Sequence, residues 1–203
     1  MLFDAAVLAI IVALIAGGRF SHLSRLDLRW PLVFVAAFAL QLGITILAVR
    51  GWQPIRPAAP ALHLLSYALL FAAVVANRRL WPMWIAALGV VMNFVVIAAN
   101  GGAMPADADL VRASGRHRLL ALTAAGRYPT HTLLDEGTRL PFLADSHLLP
   151  SPPTRFPRSC VFSPGDVFIT AGVVLLILRG MGAFGWGRRE LTAAQASVPQ
   201  SHA

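Results

Sequence analysis

Lysine is absent from this sequence, and cysteine occurs once, at Cys160. A single thiol cannot form an intramolecular disulfide and cannot build a zinc site alone. Charged residues make up only 13% of the 203 positions, against about 25% in an average soluble domain. With 57% hydrophobic residues, the chain has more apolar surface than one soluble core of this size can bury. The composition therefore excludes an ordinary soluble domain and favours a membrane protein.

The basic residues are 17 Arg against nine acids, which gives a formal net charge of +8. These Arg residues flank apolar runs and do not line one polar face. They therefore indicate membrane topology and no nucleic-acid partner. Arg without Lys, together with abundant Ala, is typical of a GC-rich bacterial genome.

Five apolar stretches predict an all-α integral membrane bundle of about five transmembrane helices, with a long extracytoplasmic loop before the last helix. A helix needs about 20 residues to cross the hydrocarbon core. The second and fourth stretches reach this length, and the other three need flanking residues or a locally thinner bilayer. The first stretch carries an acid, Asp4, in place of a basic leader region, which predicts a retained helix. The stretches are residues 2–17, 31–49, about 61–76, 81–99 and 167–178.

The distribution of Arg in the short segments predicts the sidedness. Eight Arg lie on the side of the C-terminus and two on the side of the N-terminus. The N-terminus is therefore expected outside and the C-terminus in the cytoplasm of a bacterial cell membrane. The predicted regions are a four-helix transmembrane region (1–99), an extracytoplasmic loop (100–163), a fifth transmembrane helix (164–181) and a disordered cytoplasmic tail (182–203).

Three sequence blocks resemble those of a known family. They are Asn-Gly-Gly-Ala-Met-Pro at 100–105, Thr-Arg-Leu-Pro-Phe-Leu-Ala-Asp at 138–145 and Val-Phe-Ser-Pro-Gly-Asp-Val at 161–167. In this order they resemble the DUF5317 family, small bacterial multi-pass membrane proteins of undetermined function. The resemblance is strongest from residue 93 to 178. It implies fold and location, and it implies no activity.

The candidate ligand-binding or structural residues lie at the helix ends and in the loop. The Asn-Gly-Gly block suits a helix C-terminus, because Asn and Gly tolerate positive φ. Ser at the N-cap with Asp three residues later suits the start of the last helix, and this carboxylate could also bind a cation. The candidates are Asn93, Asn100, Gly101, Gly102, Met104, Pro105, Asp135, Asp145, Ser163 and Asp166.

Polar side chains within the spans are expected to face other helices. Gln41, His63 and Asn93 would each cost roughly 2 kcal/mol or more in lipid without a partner. Helix packing is the simplest explanation of these residues, and a proton or substrate path is the alternative.

Histidines and acids also occur in the loop. Residues 110–125 predict a short helix that lies on the membrane surface, and 130–149 predict irregular structure over the helix ends. His131 and Asp135 would share a face if their segment were helical. Their spacing matches no metal motif. Thr138 and Arg139 are expected to pair with Asp135 or Asp145.

The sequence contains no nucleophile elbow, phosphate-binding glycine loop or C-x-x-C pair. This favours a non-enzymatic protein without a cofactor or metal, whose outer loop contacts a partner in the envelope or the membrane surface. The alternatives are a small transporter or channel component, and a membrane-embedded enzyme that uses loop carboxylates and histidines. The lipid bilayer is the expected partner, and the oligomeric state stays open.

Overall fold

The computed structural model describes residues 1–23, 26–151 and 159–185. Within them the chain is mostly helical. The helices are α1 (Leu2–Ile15), α2 (Phe20–Leu23), α3 (Pro31–Val49), α4 (Ile55–Ala76), α5 (Pro82–Ala99), α6 (Ala108–Ala113), α7 (His117–Ala124) and α8 (Pro164–Gly180). The strands are β1 (Met104–Ala106), β2 (His131–Leu133), β3 (His147–Leu149) and β4 (Cys160–Phe162).

Three helices are long and apolar enough to cross a membrane. They are α3, α4 and α5, with 19, 22 and 18 residues. The helix α1 is apolar but has 14 residues, and α8 has 17. The candidate spans indicate a membrane protein. The finding covers three spans, so the count of five spans and the sidedness stay predictions.

Proline marks the start of three of these helices. Pro31, Pro82 and Pro164 stand at the first helical position of α3, α5 and α8. A proline there loses no hydrogen bond, because the first N–H groups of a helix have no intrahelical acceptor. The helix α4 begins at Ile55, earlier than the apolar pattern predicts. Its first turn accommodates Pro57 for the same reason.

The five long helices pack in the order α1, α8, α5, α4, α3, each mainly against the next. The helices α5 and α8 approach each other closely, because glycines on each face the opposite backbone. A Cβ on Gly89 would lie 2.3 Å from the carbonyl oxygen of Gly165, and one on Gly172 would lie 2.7 Å from the amide nitrogen of Ala86. Small residues bring helix backbones together in membranes, so these glycines fix the α5–α8 contact.

Large apolar side chains cover much of the outer surface of the bundle. On α3, Leu32 is 78% exposed, Val35 62% and Leu42 60%. A soluble protein rarely exposes so continuous an apolar surface. Lipid is the solvent that such a surface fits.

The segment between α5 and α8 folds over one end of the bundle, which we call the loop end. β1 pairs with β2 in parallel, and β3 pairs with β4 antiparallel. The fold is mostly helical, in agreement with the predicted helical bundle, and these short strands are added to it because backbone groups that are buried in a loop need hydrogen-bond partners. Within 130–149, for which irregular structure is predicted, residues 131–133 and 147–149 form strands. The helix predicted over 110–125 is divided into α6 and α7 by Gly115, which has φ +77°.

Some predictions fall outside the described residues. They concern the disordered tail from residue 186 onward, and the Arg residues at 25, 188 and 189 that enter the predicted topology.

Candidate functional site

The start of α8 is fixed by a capping box. The Ser163 side chain accepts a hydrogen bond from the backbone N–H of Asp166 at 3.1 Å. The Asp166 carboxylate accepts one from the backbone N–H of Ser163 at 3.2 Å. Each side chain thus satisfies a free N–H of the helix start, as the sequence predicts. The box also fixes the position of a carboxylate at the loop end of the bundle.

Asn93 connects this helix start to α5. Its Nδ2 donates to Oδ1 of Asp166 at 2.8 Å, and its Oδ1 accepts from the Ser163 hydroxyl at 2.9 Å. Asn93 is 1% exposed and Ser163 fully buried. Gly165 makes room for this contact, since a Cβ there would lie 2.0 Å from Oδ1 of Asn93. The predicted role of Asn93 in helix packing agrees with these bonds.

His63 lies at the same end, on α4. Its Nδ1 donates to the carbonyl oxygen of Gly102 at 2.8 Å, because a carbonyl oxygen can only accept. The side chain of Ser66, three residues later, donates to the backbone carbonyl of His63 and accepts from Gln41 of α3 at 3.0 Å. Gln41 and His63 therefore bond to other parts of the bundle, as expected of polar groups in a span.

Asp145 of the loop reaches the same region. It is 9% exposed, and its Oδ2 lies 3.6 Å from Nε2 of His131. Its Oδ1 is buried and has no hydrogen-bond partner among the described residues. The ring of His131 stacks on Tyr128 at 4.9 Å. A buried carboxylate oxygen without a donor is costly and needs an explanation.

These groups meet in a cavity of about 360 Å³ at the loop end. Its polar lining is rich in acceptors and aromatic rings. Two carboxylates, two histidines and two tyrosines contribute, and no arginine belongs to the described lining. The lining residues are Phe38, Gln41, Leu42, Thr45, His63, Tyr67, Asn93, Met104, Tyr128, Thr130, His131, Asp145 and Asp166.

Of the ten residues predicted as candidates, four line this cavity: Asn93, Met104, Asp145 and Asp166. Ser163 lies behind it and holds two of them. The other five do not line it. They are Asn100, Gly101, Gly102, Pro105 and Asp135.

Asn100 holds the loop to the end of α5 instead. Its Nδ2 donates to the carbonyl oxygens of Val96 and Arg139, and its Oδ1 accepts from the Arg139 backbone N–H at 2.9 Å. Gly101 and Gly102 follow with φ +68° and +91°, as a turn at a helix end requires. The latter packs on Pro60 of α4, where a Cβ would lie 2.5 Å from the proline Cβ.

Asp135 closes a local turn. Its carboxylate accepts from the Thr138 hydroxyl and from the Gly137 backbone N–H, each at 3.0 Å. The predicted pairing of Thr138 with Asp135 is therefore present. The condition for a shared helical face of His131 and Asp135 is not met, because His131 lies in strand β2. His131 faces the carboxylate of Asp145.

Several cavity residues were not among the candidates, and the position of one of them could have been predicted from a local sequence spacing. Tyr67 follows His63 by four residues on α4, the spacing that places two side chains on one helix face, and their rings lie 5.5 Å apart. Tyr128 and Thr130 come from the loop, where no period predicts which side chains point inward. Their position depends on the pairing of β1 with β2.

Among the described residues, no three His, Cys, Asp or Glu side chains come together as metal ligands. The fold and the cavity define a mostly helical protein with three candidate membrane spans among its described residues, in which polar groups of the loop and of the helices meet at one end of the bundle. A family model described as "Family of unknown function (DUF5317)" matches residues 25–178. The chain belongs to the DUF5317 family, as its three sequence blocks predict. No curated protein and no solved structure matches the chain.

Proposed function

We propose that this chain is a multi-pass membrane protein that binds a small organic ammonium ion in the cavity at the loop end. One observation carries the proposal: Asp145 lines the cavity, and the Oδ1 atom of its buried carboxylate has no hydrogen-bond donor among the described residues. A ligand N–H in the cavity would supply a donor to this carboxylate. A charge-assisted bond of this kind is stronger than a neutral one.

The remaining lining supports a cation. Asp166 supplies a second carboxylate, and Phe38, Tyr67 and Tyr128 supply aromatic rings. Aromatic faces attract ammonium groups electrostatically, and the attraction is largest where water is excluded. A volume of about 360 Å³ is within the usual range of small-molecule sites.

In the proposed membrane arrangement, α1 and α8 span the bilayer beside the three candidate spans. The N-terminus lies outside, the C-terminus lies in the cytoplasm, and the loop end therefore faces outward. The excess of Arg at the opposite end supports this orientation. An outward-facing cavity suits capture of a ligand from outside the cell.

Among the functions that the sequence leaves open, this arrangement favours the ligand-binding component of a small transporter. The loop directs Thr130, His131 and Asp145 into the cavity, so its polar groups serve an internal site. Contact of the loop with an envelope partner stays a prediction. The His131–Asp145 pair also favours the second alternative, an enzyme in which a carboxylate orients a general base.

The test measures binding to the full chain in lipid nanodiscs. The probes are ethylammonium, putrescine and choline, with Na⁺, Mg²⁺ and Zn²⁺ as separate arms, and the readouts are calorimetry and the shift in Tm. Asp145→Asn is compared with Asp109→Asn, which removes the same charge from an acid whose side chain is 86% exposed. An ammonium probe is expected to bind wild type and Asp109→Asn, and to bind Asp145→Asn about 30-fold more weakly or worse, because a buried charge pair is lost.

Three results would overturn the proposal. They are no binding of any ammonium probe, equal binding to Asp145→Asn, and binding of metal ions alone. A probe recovered chemically changed would replace the transport proposal with the enzyme alternative.

A further inference from the structure

The opposite end of the bundle carries a second feature, a groove of about 840 Å³ between the start of α3 and the end of α4. We call this the arginine groove. It does not touch the cavity at the loop end, and the two sites share no residue. Its lining residues are Arg29, Trp30, Phe71, Ala72, Val75, Ala76, Arg78 and Arg79.

Asn77 stabilises the rim of this groove through hydrogen bonds to the backbone of Arg29. It is fully buried at the C-terminal end of α4, where its Nδ2 donates to the carbonyl oxygens of Ala73 and Arg29, each at 2.8 Å. Its Oδ1 accepts from the backbone N–H of Arg29 at 2.7 Å. The backbone of Arg29 is thereby fixed beside Arg78 and the end of α4. The arrangement is a rigid scaffold for cationic side chains.

The rim of the groove has an excess of positive charge. Arg79 forms an ion pair with Asp27 at 2.6 Å. Arg29 and Arg78 are exposed, and neither has an acidic partner among the described residues. Two guanidinium groups are thus free to bind an anion. Guanidinium binds phosphate through two parallel hydrogen bonds.

The wall below this rim is apolar. Phe71 and Ala72 are exposed on α4, and Val75 and Ala76 continue the same wall toward the rim. Trp30, at the start of α3, is 59% exposed. Exposed Trp is typical of the membrane interface, where its ring lies at the level of the lipid headgroups. The groove therefore changes from apolar to cationic along the direction of the helices.

We infer that the arginine groove binds one anionic phospholipid, with its phosphate between Arg29 and Arg78 and an acyl chain along the α4 wall. The two parts of the groove match the two parts of this molecule. Free phosphate would leave the apolar wall uncovered, and a zwitterionic lipid would leave the net positive charge uncompensated. Basic pockets between transmembrane helices bind anionic headgroups on the same principle.

The test uses the full chain in detergent and measures lipid affinity by native mass spectrometry. Phosphatidylglycerol and phosphatidylcholine are the probes, and inorganic phosphate is a separate competitor. The variant Arg29→Gln/Arg78→Gln removes the two free charges. The control Arg50→Gln/Arg56→Gln removes two charges at the other ends of α3 and α4.

Wild type is expected to prefer phosphatidylglycerol. The Arg29/Arg78 variant is expected to bind it at least about tenfold more weakly, because each Arg near a membrane surface contributes on the order of 1 kcal/mol, or about fivefold. The control should stay within about twofold of wild type. Ala72→Trp, which fills the exposed wall without a change of charge, should also weaken binding.

The inference would be overturned if the groove variant and its control lost the same affinity for phosphatidylglycerol. It would also be overturned if wild type bound the two lipids with equal affinity. Displacement of phosphatidylglycerol by millimolar phosphate would show an anion site without a chain contact, and would also overturn it. Unchanged Tm in each variant confirms that the losses are not due to unfolding. None of these outcomes depends on a ligand in the cavity at the loop end.

Discussion

The side-chain amide of Asn93 donates a 2.8 Å hydrogen bond to Oδ1 of Asp166, although the two residues are 73 positions apart. The same amide group accepts from Ser163, so the capping box of α8 and the interior of α5 form one hydrogen-bonded unit. The carboxylate that faces the cavity is therefore held from two helices. Its position depends on the packing of α5 against α8.

Asn93→Leu is expected to destabilise the protein by about 2 kcal/mol, because it removes the donor to Oδ1 of Asp166 and the acceptor of the buried Ser163 hydroxyl. The measurement is reversible unfolding in detergent, followed by circular dichroism. Val91→Leu, at a position on the same helix that is 40% exposed, should change stability by less than about 0.5 kcal/mol. Equal free energies of unfolding for wild type and Asn93→Leu would show that the hydrogen bonds of Asn93 do not contribute to stability.

Gly89→Ala and Gly43→Ala are expected to have opposite effects. A Cβ on Gly89 would lie 2.3 Å from a backbone oxygen of α8, so the substitution should destabilise by about 1–3 kcal/mol. A Cβ on Gly43 of α3 would meet nothing within 4 Å. This substitution should therefore stabilise by up to about 1 kcal/mol, since Ala favours helix more than Gly. If both variants had a higher Tm than wild type, or both a lower Tm, the result would contradict the close approach of α5 to α8.

Asp145→Asn is expected to raise the stability of the ligand-free protein by about 1 kcal/mol. The substitution removes a buried charge whose Oδ1 has no donor among the described residues, and binding sites commonly reduce stability in this way. The measurement is Tm without any probe, with Asp109→Asn as the exposed control. A large loss of stability in Asp145→Asn would mean that the carboxylate serves the fold itself.

Asn100→Ala is expected to loosen the loop while the helices stay folded. Two hydrogen bonds of this side chain join the end of α5 to the loop backbone at Arg139, and a third goes to Val96 within α5. Hydrogen exchange should therefore rise by about tenfold or more around residues 137–145, since each lost bond contributes roughly 1 kcal/mol. Exchange in α3 should not change. Uniform exchange increases across the chain would instead indicate global destabilisation.

The proposed sidedness is testable by thiol labelling. In a Cys160→Ala background, Glu136→Cys places a thiol at an exposed position of the loop, and Arg78→Cys places one at the opposite end of the bundle. A membrane-impermeant maleimide added to intact cells should label the first and should label the second only after permeabilisation. The reverse pattern would invert the proposed topology.

The sequence predicts the long helices well, because each has a continuous apolar run, and α3, α5 and α8 also have a proline at the first helical position. The bounds of α3 agree with the predicted 31–49, and the capping box of Ser163 and Asp166 can be recognised from a local pattern. The start of α4 could not be predicted as well, since Pro57 and Pro60 are read as helix breakers unless their place in the first turns is known.

The cavity was predicted only in part. Asn93 stands out within an apolar run, Asp145 in the loop and Asp166 at the start of the last apolar run, but nothing local shows that they meet. The partner of His131 depends on the pairing of β1 with β2, which is a contact between segments distant in sequence. The residues around Tyr128 follow from the same pairing. Such contacts are tertiary, and a single sequence does not contain them as a pattern.

The packing order of the helices has a consequence for biosynthesis. The last helix, α8, lies between α5 and α1 and makes extensive contacts with both. The helix α1 is synthesised before α8 and must therefore remain without its main neighbour until α8 has left the ribosome. Assembly of α1 into the bundle is thus a later event than the pairing of α3 with α4.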